Sequence, residues 1–385
     1  MATAPATAQK MSPQQLNALQ RQAVLGQAVK MTQQIFSSTF DPANSNVLNI
    51  TPRNVGLITK FIVEISGTAN NTGVTTAATL TDFGLSNVLS NVTFNDLNNN
   101  VRINTSGWHL GLLASIRHRK PYASCYSYSI DQASFGNNFP VVSASSSIAA
   151  GGTGTFRTVI DIPLSYSDDD LRGAVYANVL NAVMNLQLTI NNTAFVASGD
   201  STFAMYSGNS GNLNPVTVTV YQEYYDQLPI GQQGVILPML DLSTVYELKN
   251  TLFNSVAANQ DYPVAYANFR DFLSTFAIWN NAGTTAGREN GADINYWSLQ
   301  SANFTNIFKI DPLLAAQKTR EIVGADLPLG TYYFSSRRKP ISTTQFGNME
   351  LVLNANTAGA GNYLQIGWED FALVNTLTAA GSLAG

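Results

Sequence analysis

The sequence predicts an all-β fold built from sandwiches or barrels, and three observations lead to this prediction. Apolar and polar residues alternate in several short segments, which is the pattern of a strand with one buried face. Clusters of Gly, Asn, Ser and Pro separate these segments, as turns separate the strands of a sandwich or barrel. In each half of the chain a predicted short helix follows a strand and precedes another alternating segment, which indicates a duplicated unit.

The first predicted element is a long helix over residues 14–36. Ser12 can cap the free amide groups, Pro13 suits the first helical position, and Gln15 stands where a capping box has its second side chain. Apolar residues recur at helical spacing between Gln-rich turns through this segment. Its charge is distinctive, since the only ionisable side chains before Asp41 are Lys10, Arg21 and Lys30. We therefore expect a basic amphipathic helix in front of a faintly acidic body.

After Phe40 the apolar period changes from helical to two. Residues 54–66 place Val55, Leu57 and Phe61 on one face, together with the next alternate apolar residues. The same alternation predicts further strands at 156–164, 186–190, 216–220, 349–353 and 364–368.

Two short helices are predicted within the β pattern. Ser167 can cap a helix that begins with three aspartates, since carboxylates are favourable at the positive end of a helix, and that helix is expected to run through Leu171 and Val175. Asp311 and Pro312 open the second helix, which is expected to end at Gly324.

Between the two halves, residues 227–240 are predicted to form an ordered crossing. Glycines and prolines crowd there around apolar residues, and the four that define the segment are Pro229, Gly231, Gly234 and Pro238.

The charge content narrows the classes of function. Only 11% of the 385 residues are charged, against about a quarter in an ordinary soluble domain, so the surface must be mostly neutral. Because the surface carries few charges, electrostatic repulsion between copies of the chain is weak, which suits packing into an assembly. The formal net charge of -4 argues against a body that binds nucleic acid directly. The short basic clusters at 117–120 and 337–339 are interpreted as solvated loops.

No reaction class emerges from the side chains that usually carry chemistry. Cys125 is the only cysteine, so neither an intrachain disulfide nor a thiolate-rich metal site can form. His109 is assigned a packing role, and His118, between two arginines, a place in a surface loop. The acids at 168–170 could in principle hold calcium, but helix-start stabilisation explains them without an ion. We therefore predict no catalytic, cofactor-binding or metal-binding residues, and no enzyme activity.

No secretion signal and no apolar stretch long enough to span a bilayer are recognised, so synthesis in the cytoplasm is expected.

Several segments resemble the major capsid proteins of tectiviruses. The longest is YYDQLPIGQQGVILPMLDLSTVYEL at 224–248, which is unusual enough to be specific. The others are FDPANSNVLNITPRNVG (40–56), LTDFG (80–84), TSGWHL (105–110), DLRGAVYANV (170–179), ADINYWSLQSANF (292–304) and KPISTTQFGN (339–348). The resemblance extends from about the N-terminal helix to Trp368.

The resemblance implies two jelly-roll barrels, each an eight-stranded Greek-key sandwich, side by side in one chain. The division it implies is an N-terminal helix at 1–40, a first barrel at 41–226, a linker at 227–240, and a second barrel with a C-terminal tail at 241–385. It further implies a major capsid protein whose homotrimers, pseudo-hexagonal in outline, tile the icosahedral shell of a membrane-containing double-stranded DNA bacteriophage.

The partners implied are neighbouring copies of the chain, a vertex (penton) protein, minor capsid proteins and an internal lipid membrane, with the virion capsid as location. Lys10, Arg21 and Lys30 would then face anionic lipid headgroups, although a plain packing helix is also compatible with the sequence.

The alternative hypothesis is a jelly-roll module that binds carbohydrate or a receptor and is displayed on a particle. Aromatic side chains at loop tips would favour it, and the candidates are Tyr122, Tyr126, Tyr128, Tyr332 and Tyr333.

Overall fold

The computed structural model describes residues 23–117, 143–177, 182–228, 244–288, 292–304, 306–324 and 327–373. Its first barrel contains the strands β1 (Val29–Phe40), β2 (Val47–Ile50), β3 (Leu57–Asn71), β4 (Ala78–Leu80), β5 (Leu89–Asn95), β6 (Val101–Thr105), β7 (Ser143–Ala144), β8 (Ser147–Ile148), β9 (Thr153–Pro163), β10 (Val175–Tyr176), β11 (Asn185–Ile190), β12 (Phe195–Val196), β13 (Tyr206–Ser207), β14 (Gly211–Leu213) and β15 (Val216–Asp226).

The second barrel contains β16 (Thr244–Asn254), β17 (Asp261–Ala265), β18 (Arg270–Asn280), β19 (Ile294–Ser301), β20 (Phe308–Ile310), β21 (Thr331–Ser335), β22 (Ile341–Ser342), β23 (Met349–Ala355) and β24 (Tyr363–Leu373). The helices are α1 (Gly107–Arg117), α2 (Pro312–Val323) and α3 (Thr343–Phe346), with 3₁₀ turns at Gly84–Val88 and Thr285–Gly287. Residues 23–27 form a further helical turn.

One continuous sheet joins the two barrels. In the first barrel β2, β11, β5 and β6 follow one another, and in the second barrel β16, β24, β18 and β21 continue the same hydrogen-bonded order. The junction is a parallel pairing of β6 with β16, in which Ile103 lies opposite Leu248 and Asn104 opposite Lys249. Each barrel adds a second large sheet of its own, ordered β1-β15-β3-β9-β7 in the first and β17-β23-β19-β20 in the second.

The buried apolar residues form two main clusters, and the larger one crosses between the barrels. It contains the core of the first barrel together with side chains from β16, β18, β21 and β24 of the second, namely Tyr246, Leu248, Leu273, Phe276, Ile278, Tyr333 and Phe371. The other cluster fills the second sandwich around Trp279 and Trp297. The part of the shared sheet that belongs to the second barrel is therefore covered on both faces.

The structure confirms the six strands that the alternating pattern predicts, which become β3, β9, β11, β15, β23 and β24. It also confirms the second predicted helix, α2. Asp311 caps it by accepting a hydrogen bond from the Leu314 amide at 2.8 Å, and Gly324 ends it in the left-handed conformation with φ of 78°.

The helix predicted over residues 14–36 is wrong from Val29 onward, because that part of the chain is strand β1. β1 pairs antiparallel with β15 from Val29 opposite Asp226 to Phe40 opposite Val216. Ile35, Phe36 and Phe40 pack against the core of the first barrel. The long pairing with β15, interrupted only by a bulge at Ile35, and these core contacts outweigh a helical preference that only local sequence supports. Residues 1–22 lie outside the described residues.

The helix predicted from Ser167 to Val175 is also wrong. The Ser167 hydroxyl does accept a hydrogen bond from the Asp170 amide, at 3.0 Å, but it closes a turn. Gly173 then takes a positive φ of 87°, and Val175 begins β10, which pairs with β3. A Cβ atom at Gly173 would lie 2.3 Å from Cβ of Tyr246, so the chain turns where the two barrels meet.

The helix of the first half is instead α1, which the sequence reading missed. Gly107 and Gly111 lower its intrinsic helix propensity, and its side chains are apolar on nearly all sides. An amphipathic pattern is therefore missing, because this helix is buried rather than laid on a surface. None of the described helices combines the length and the apolar character needed to cross a bilayer.

Deletion of residues 1–40 is expected to lower the melting temperature of the protein, because it removes β1 and leaves β15 as an unpaired edge. Deletion of residues 1–22 is the matched control, since it leaves every contact described above in place. Circular dichroism melts of both variants and of the full chain make the comparison. Equal melting temperatures for the two deletions would show that β1 is dispensable to the barrel.

Candidate functional site: the interface between the two barrels

Helix α1 of the first barrel packs against the second barrel. Trp108, Leu110, Leu112 and Leu113 are all buried, so the helix is enclosed on several sides. The neighbouring His109 reaches the shared sheet of the second barrel, where its ring lies 5.5 Å from that of Phe276. The helix therefore occupies the space between the two sandwiches.

His109 has the packing role that its sequence context predicts. Its ring is fully buried, and a Cβ atom at Gly367 on β24 would lie 2.9 Å from it, so only a glycine lets the helix approach this closely. Nδ1 lies 2.7 Å from the Thr105 hydroxyl oxygen. Burial lowers the pKa of His109 to about 4, against a weaker opposing effect of Glu369, so the ring is neutral at neutral pH.

The centre of the interface is the carboxylate of Glu369, on β24, which is 0% exposed. Nη1 of Arg337 lies 2.7 and 2.8 Å from its two oxygens. The hydroxyl groups of Tyr246 and Ser274 each donate a hydrogen bond of 2.7 Å to it. Burial alone would raise the pKa of Glu369, but Arg337, Arg117 and these hydrogen bonds outweigh it and lower the pKa, so the carboxylate is ionised.

Each barrel supplies one arginine to this carboxylate. Arg337 belongs to the second barrel, and Arg117, at the end of α1, belongs to the first, with Nη2 3.8 Å from Glu369 Oε1. Arg117 also donates to the carbonyl of Ser165. Arg337 donates to the carbonyl of Tyr166 at 3.0 Å, while the Tyr166 hydroxyl donates to the Arg337 carbonyl at 2.7 Å. The two barrels are thus joined by a charge-assisted hydrogen bond from Arg337, a hydrogen bond from Tyr166 in the opposite direction, and the ion pair of Arg117 with Glu369.

The prediction that the two basic clusters are solvated loops is wrong for these two arginines. The side chains of Arg117 and Arg337 are each only 15% exposed. Arg338 and Lys339 are exposed as expected, and residues 118–120 lie outside the described residues. The sequence offers no local sign of the difference, because the partner carboxylate of both buried arginines is distant in the chain.

Polar contacts near other loops add to the junction. The Tyr363 hydroxyl donates to Asp200 at 2.6 Å, and the Ser201 and Thr285 hydroxyl oxygens lie 2.7 Å apart. Further contacts between the barrels are the Arg288–Asp82 ion pair and a hydrogen bond of 2.7 Å from Asn250 to Ser106. These contacts fix the position of one barrel relative to the other along the length of the interface.

A second buried charge cluster lies at the start of β16 and the end of β24, inside the second barrel. Glu247 and Asp370 lie directly opposite each other in the sheet, and Arg270 contacts both, at 2.6 and 3.3 Å. Burial raises the pKa of Asp370 to about 7; Arg270 opposes the rise and Glu247 adds to it. Arg270 contacts both acids and Lys249 also pairs with Glu247, so Asp370 is the acid that favours its protonated form.

The residues predicted to face a membrane or to form the linker are mostly outside the described residues, and these are Lys10, Arg21, Pro229, Gly231, Gly234 and Pro238. Lys30 is described, and it lies on β1 rather than on a helix. Its ammonium nitrogen is 2.8 Å from Glu223 Oε1, so its charge is balanced within the barrel.

The other candidate groups do not come together as a site in the described part of the chain. Tyr332 and Tyr333 are buried, which removes them as exposed sugar platforms, and the remaining candidate tyrosines lie outside the described ranges. Asp168 and Asp169 are exposed, and Asp170 pairs with Arg172 at 2.7 Å. Among the residues with described positions, no group of three or more His, Cys, Asp or Glu side chains could hold a metal ion.

Comparison with known proteins identifies the group to which this architecture is similar. Two domain families match, the P3 major capsid protein N-terminal domain over residues 2–228 and the P3 major capsid protein C-terminal domain over residues 243–385. Major capsid protein P3 of Enterobacteria phage PRD1 is 40% identical over 370 residues, which cover 94% of this chain and 93% of that protein.

Solved structures with little sequence identity share the fold. The atomic structure of Sulfolobus Turreted Icosahedral Virus contains a chain that is 14% identical, with a TM-score of 0.63 over 91% of this chain and 93% of that one. The PBCV-1 virus capsid gives 12% identity and a TM-score of 0.55 over 89% and 93%. Such capsid proteins are double jelly rolls, which confirms the fold class that the sequence resemblance implies.

Replacement of Glu369 by Gln is expected to lower the free energy of unfolding by about 3–5 kcal/mol, because two buried arginines lose their carboxylate partner. Urea denaturation measures the loss. The matched control is Glu64→Gln, which removes a carboxylate from a more exposed ion pair with Arg157 and is expected to cost below about 1 kcal/mol. Equal losses for the two variants would contradict the central role of Glu369.

Replacement of Asp370 by Asn is expected to stabilise the protein increasingly as the pH rises. The pKa of Asp370 is about 7 in the folded state and near 4 in the unfolded state, so the parent protein loses stability as the pH rises from 4 to 7. Asn does not titrate, so the variant has no such loss. The variant should match the parent near pH 4, gain at most about 1.4 kcal/mol per pH unit, and level off above pH 7. Urea titrations across this range test it, with Asp169→Asn as the exposed control. A pH-independent difference would refute the assignment.

Proposed function

The chain belongs to the P3 major capsid protein family, and on that premise we propose that three copies assemble into a homotrimer of pseudo-hexagonal outline. It is a major capsid protein of a bacteriophage, located in the virion capsid, where copies of it assemble into the shell. In the proposal such trimers tile an icosahedral shell around an internal membrane that encloses double-stranded DNA.

The observation that carries the trimer proposal is the fixed relation of the two barrels. A sheet that runs from β2 to β21 and a buried carboxylate held by an arginine from each barrel make the pair one unit. Three such units arranged around a threefold axis supply six barrels, and six similar barrels in a ring have a hexagonal outline. A flexible pair would not define the edges along which neighbouring trimers meet.

The composition of the surface supports extensive contact between copies. With only 11% charged residues, many of them used in the ion pairs described above, little charge is left to desolvate when two copies meet. Structural rather than catalytic work is the proposed role, with no direct binding of nucleic acid.

The N-terminal segment is proposed to face the internal membrane. Strand β1 begins at Val29 opposite Asp226, the last residue of β15, so the start of β1 and the end of β15 lie at the same end of the first barrel. Lys10 and Arg21 would contribute about 1 kcal/mol each near an anionic surface. Lys30 lies at the edge of this proposed surface, already paired with Glu223. A vertex (penton) protein and minor capsid proteins are the further partners proposed.

Sedimentation velocity of the purified full chain tests the trimer, which should have three times the 41.4 kDa mass of one chain.

Flotation with vesicles tests the membrane contact. Anionic vesicles should bind the full chain, and this binding should be lost when Lys10 and Arg21 are both replaced by Gln. The Lys339→Gln variant, an exposed cation elsewhere, is the control. A monomer at all concentrations would overturn the trimer, and equal flotation of all variants would overturn the membrane contact.

A further inference from the structure

A cavity of about 170 Å³ lies in the second barrel beneath helix α2. β20 is the last strand of one sheet of this sandwich, and β21 is the last strand of the other. The chain runs from β20 through α2 to β21, so the helix covers the side of the sandwich that strand pairing leaves open. The cavity is therefore a consequence of how the barrel closes.

The sheet side of the cavity is aromatic. Phe272, Phe308 and Phe334 line it, and the rings of Phe308 and Phe334 are stacked with centroids 5.5 Å apart. Leu299 and Ile310 complete this wall. Enclosed apolar cavities of about this size take up ring-sized apolar molecules. Polar side chains also line this cavity, and two of them, Thr275 and Ser336, hydrogen-bond within the barrel to the Tyr266 hydroxyl and the Phe272 carbonyl.

Three side chains of α2 form the helix side of the cavity: a small one that leaves space, an exposed one at the opening, and a lysine. Ala315, Lys318 and Ile322 recur at helical spacing on one face of α2, and all three line the cavity. Ala315 is buried but leaves space, since its side chain is a single methyl group. Ile322 is 47% exposed, so the cavity opens to solvent there. Lys318 is exposed at this opening, and no ion pair joins it to the described part of the chain.

We propose that this cavity binds a small amphipathic carboxylate. The apolar tail, a short alkyl chain or a single ring, lies among the phenylalanine side chains, and the carboxylate meets the ammonium group of Lys318. The size of the cavity excludes long-chain ligands as fully buried occupants, because it matches only a ring-sized group. A cation at the mouth of an apolar site selects the carboxylate over an alcohol of the same length.

Occupancy of the cavity would act on the interface between the barrels. Val323, at the end of α2, belongs to the core cluster that spans both barrels. The Thr319 hydroxyl accepts a hydrogen bond of 3.0 Å from the Tyr333 amide, which ties the middle of α2 to β21. A ligand tail beneath the helix therefore stabilises an element that both barrels contact. This inference is independent of the trimer and membrane proposals.

The test uses the full chain with hexanoate and phenylacetate as probes, 1-hexanol as the uncharged match, and acetate as the tail-free control. Thermal melts and saturation-transfer NMR should show saturable binding of both probes and no effect of acetate. Lys318→Gln should weaken hexanoate binding about threefold and leave 1-hexanol unchanged. The matched control is Lys339→Gln, an exposed lysine that does not line the cavity.

Ala315→Leu should abolish binding by filling the cavity. If that variant does not fold, Ile322→Trp, at the exposed mouth, serves the same purpose. Absence of saturable hexanoate binding, or binding that survives both folded variants, would overturn the site. Equal affinity of the parent and Lys318→Gln for hexanoate would overturn the role of the carboxylate.

Discussion

The buried carboxylate of Glu369 is the interaction on which the two-barrel architecture depends. It lies inside the shared sheet, and its two arginines come from different barrels. A buried ion is expensive unless it is fully paired and hydrogen-bonded, and here Tyr246 and Ser274 complete the shell. Because a displaced first barrel would take Arg117 away from Glu369 and the Tyr166 carbonyl away from Arg337, this cluster favours one relative position over others. The surrounding apolar contacts contribute buried area to the interface, and the ion cluster determines the relative position of the two barrels.

Two buried titratable groups, His109 at the interface and Asp370 inside the second barrel, have opposite effects on stability. His109 keeps a neutral ring against the second barrel, so its contribution is present above about pH 6.5 and is lost as the pH falls toward 4. Asp370 favours its protonated form, so its contribution is lost as the pH rises to about 7. Over the weakly acidic range the two slopes oppose each other. As the pH falls, the stabilisation from protonated Asp370 therefore offsets part of the loss that His109 causes.

The sequence predicted α2 and six of the 24 described strands, because period-two alternation and helix caps are local signals. The prediction failed where tertiary contacts override local preference. The local sequence of β1 is typical of a helix, but pairing with β15 makes it a strand. The sequence after Ser167 is typical of a helix start, but it forms a turn. The interface was harder still. Arg117 and Arg337 look like loop residues, and nothing near them in the chain shows that they share Glu369. Only the resemblance to a capsid family placed two barrels side by side.

The close contact between His109 and β24 has a consequence for how the subunit is made. Helix α1 is built early during translation, but the strand that covers its histidine, with Gly367 and Glu369, is the last one described in the chain. Until the ribosome has released that strand, the face of α1 that carries His109 has no partner, although the rest of the helix can pack against the first barrel. The final relation of the two barrels therefore forms only when synthesis is nearly complete. Such a delay would also keep unfinished subunits from entering a shell.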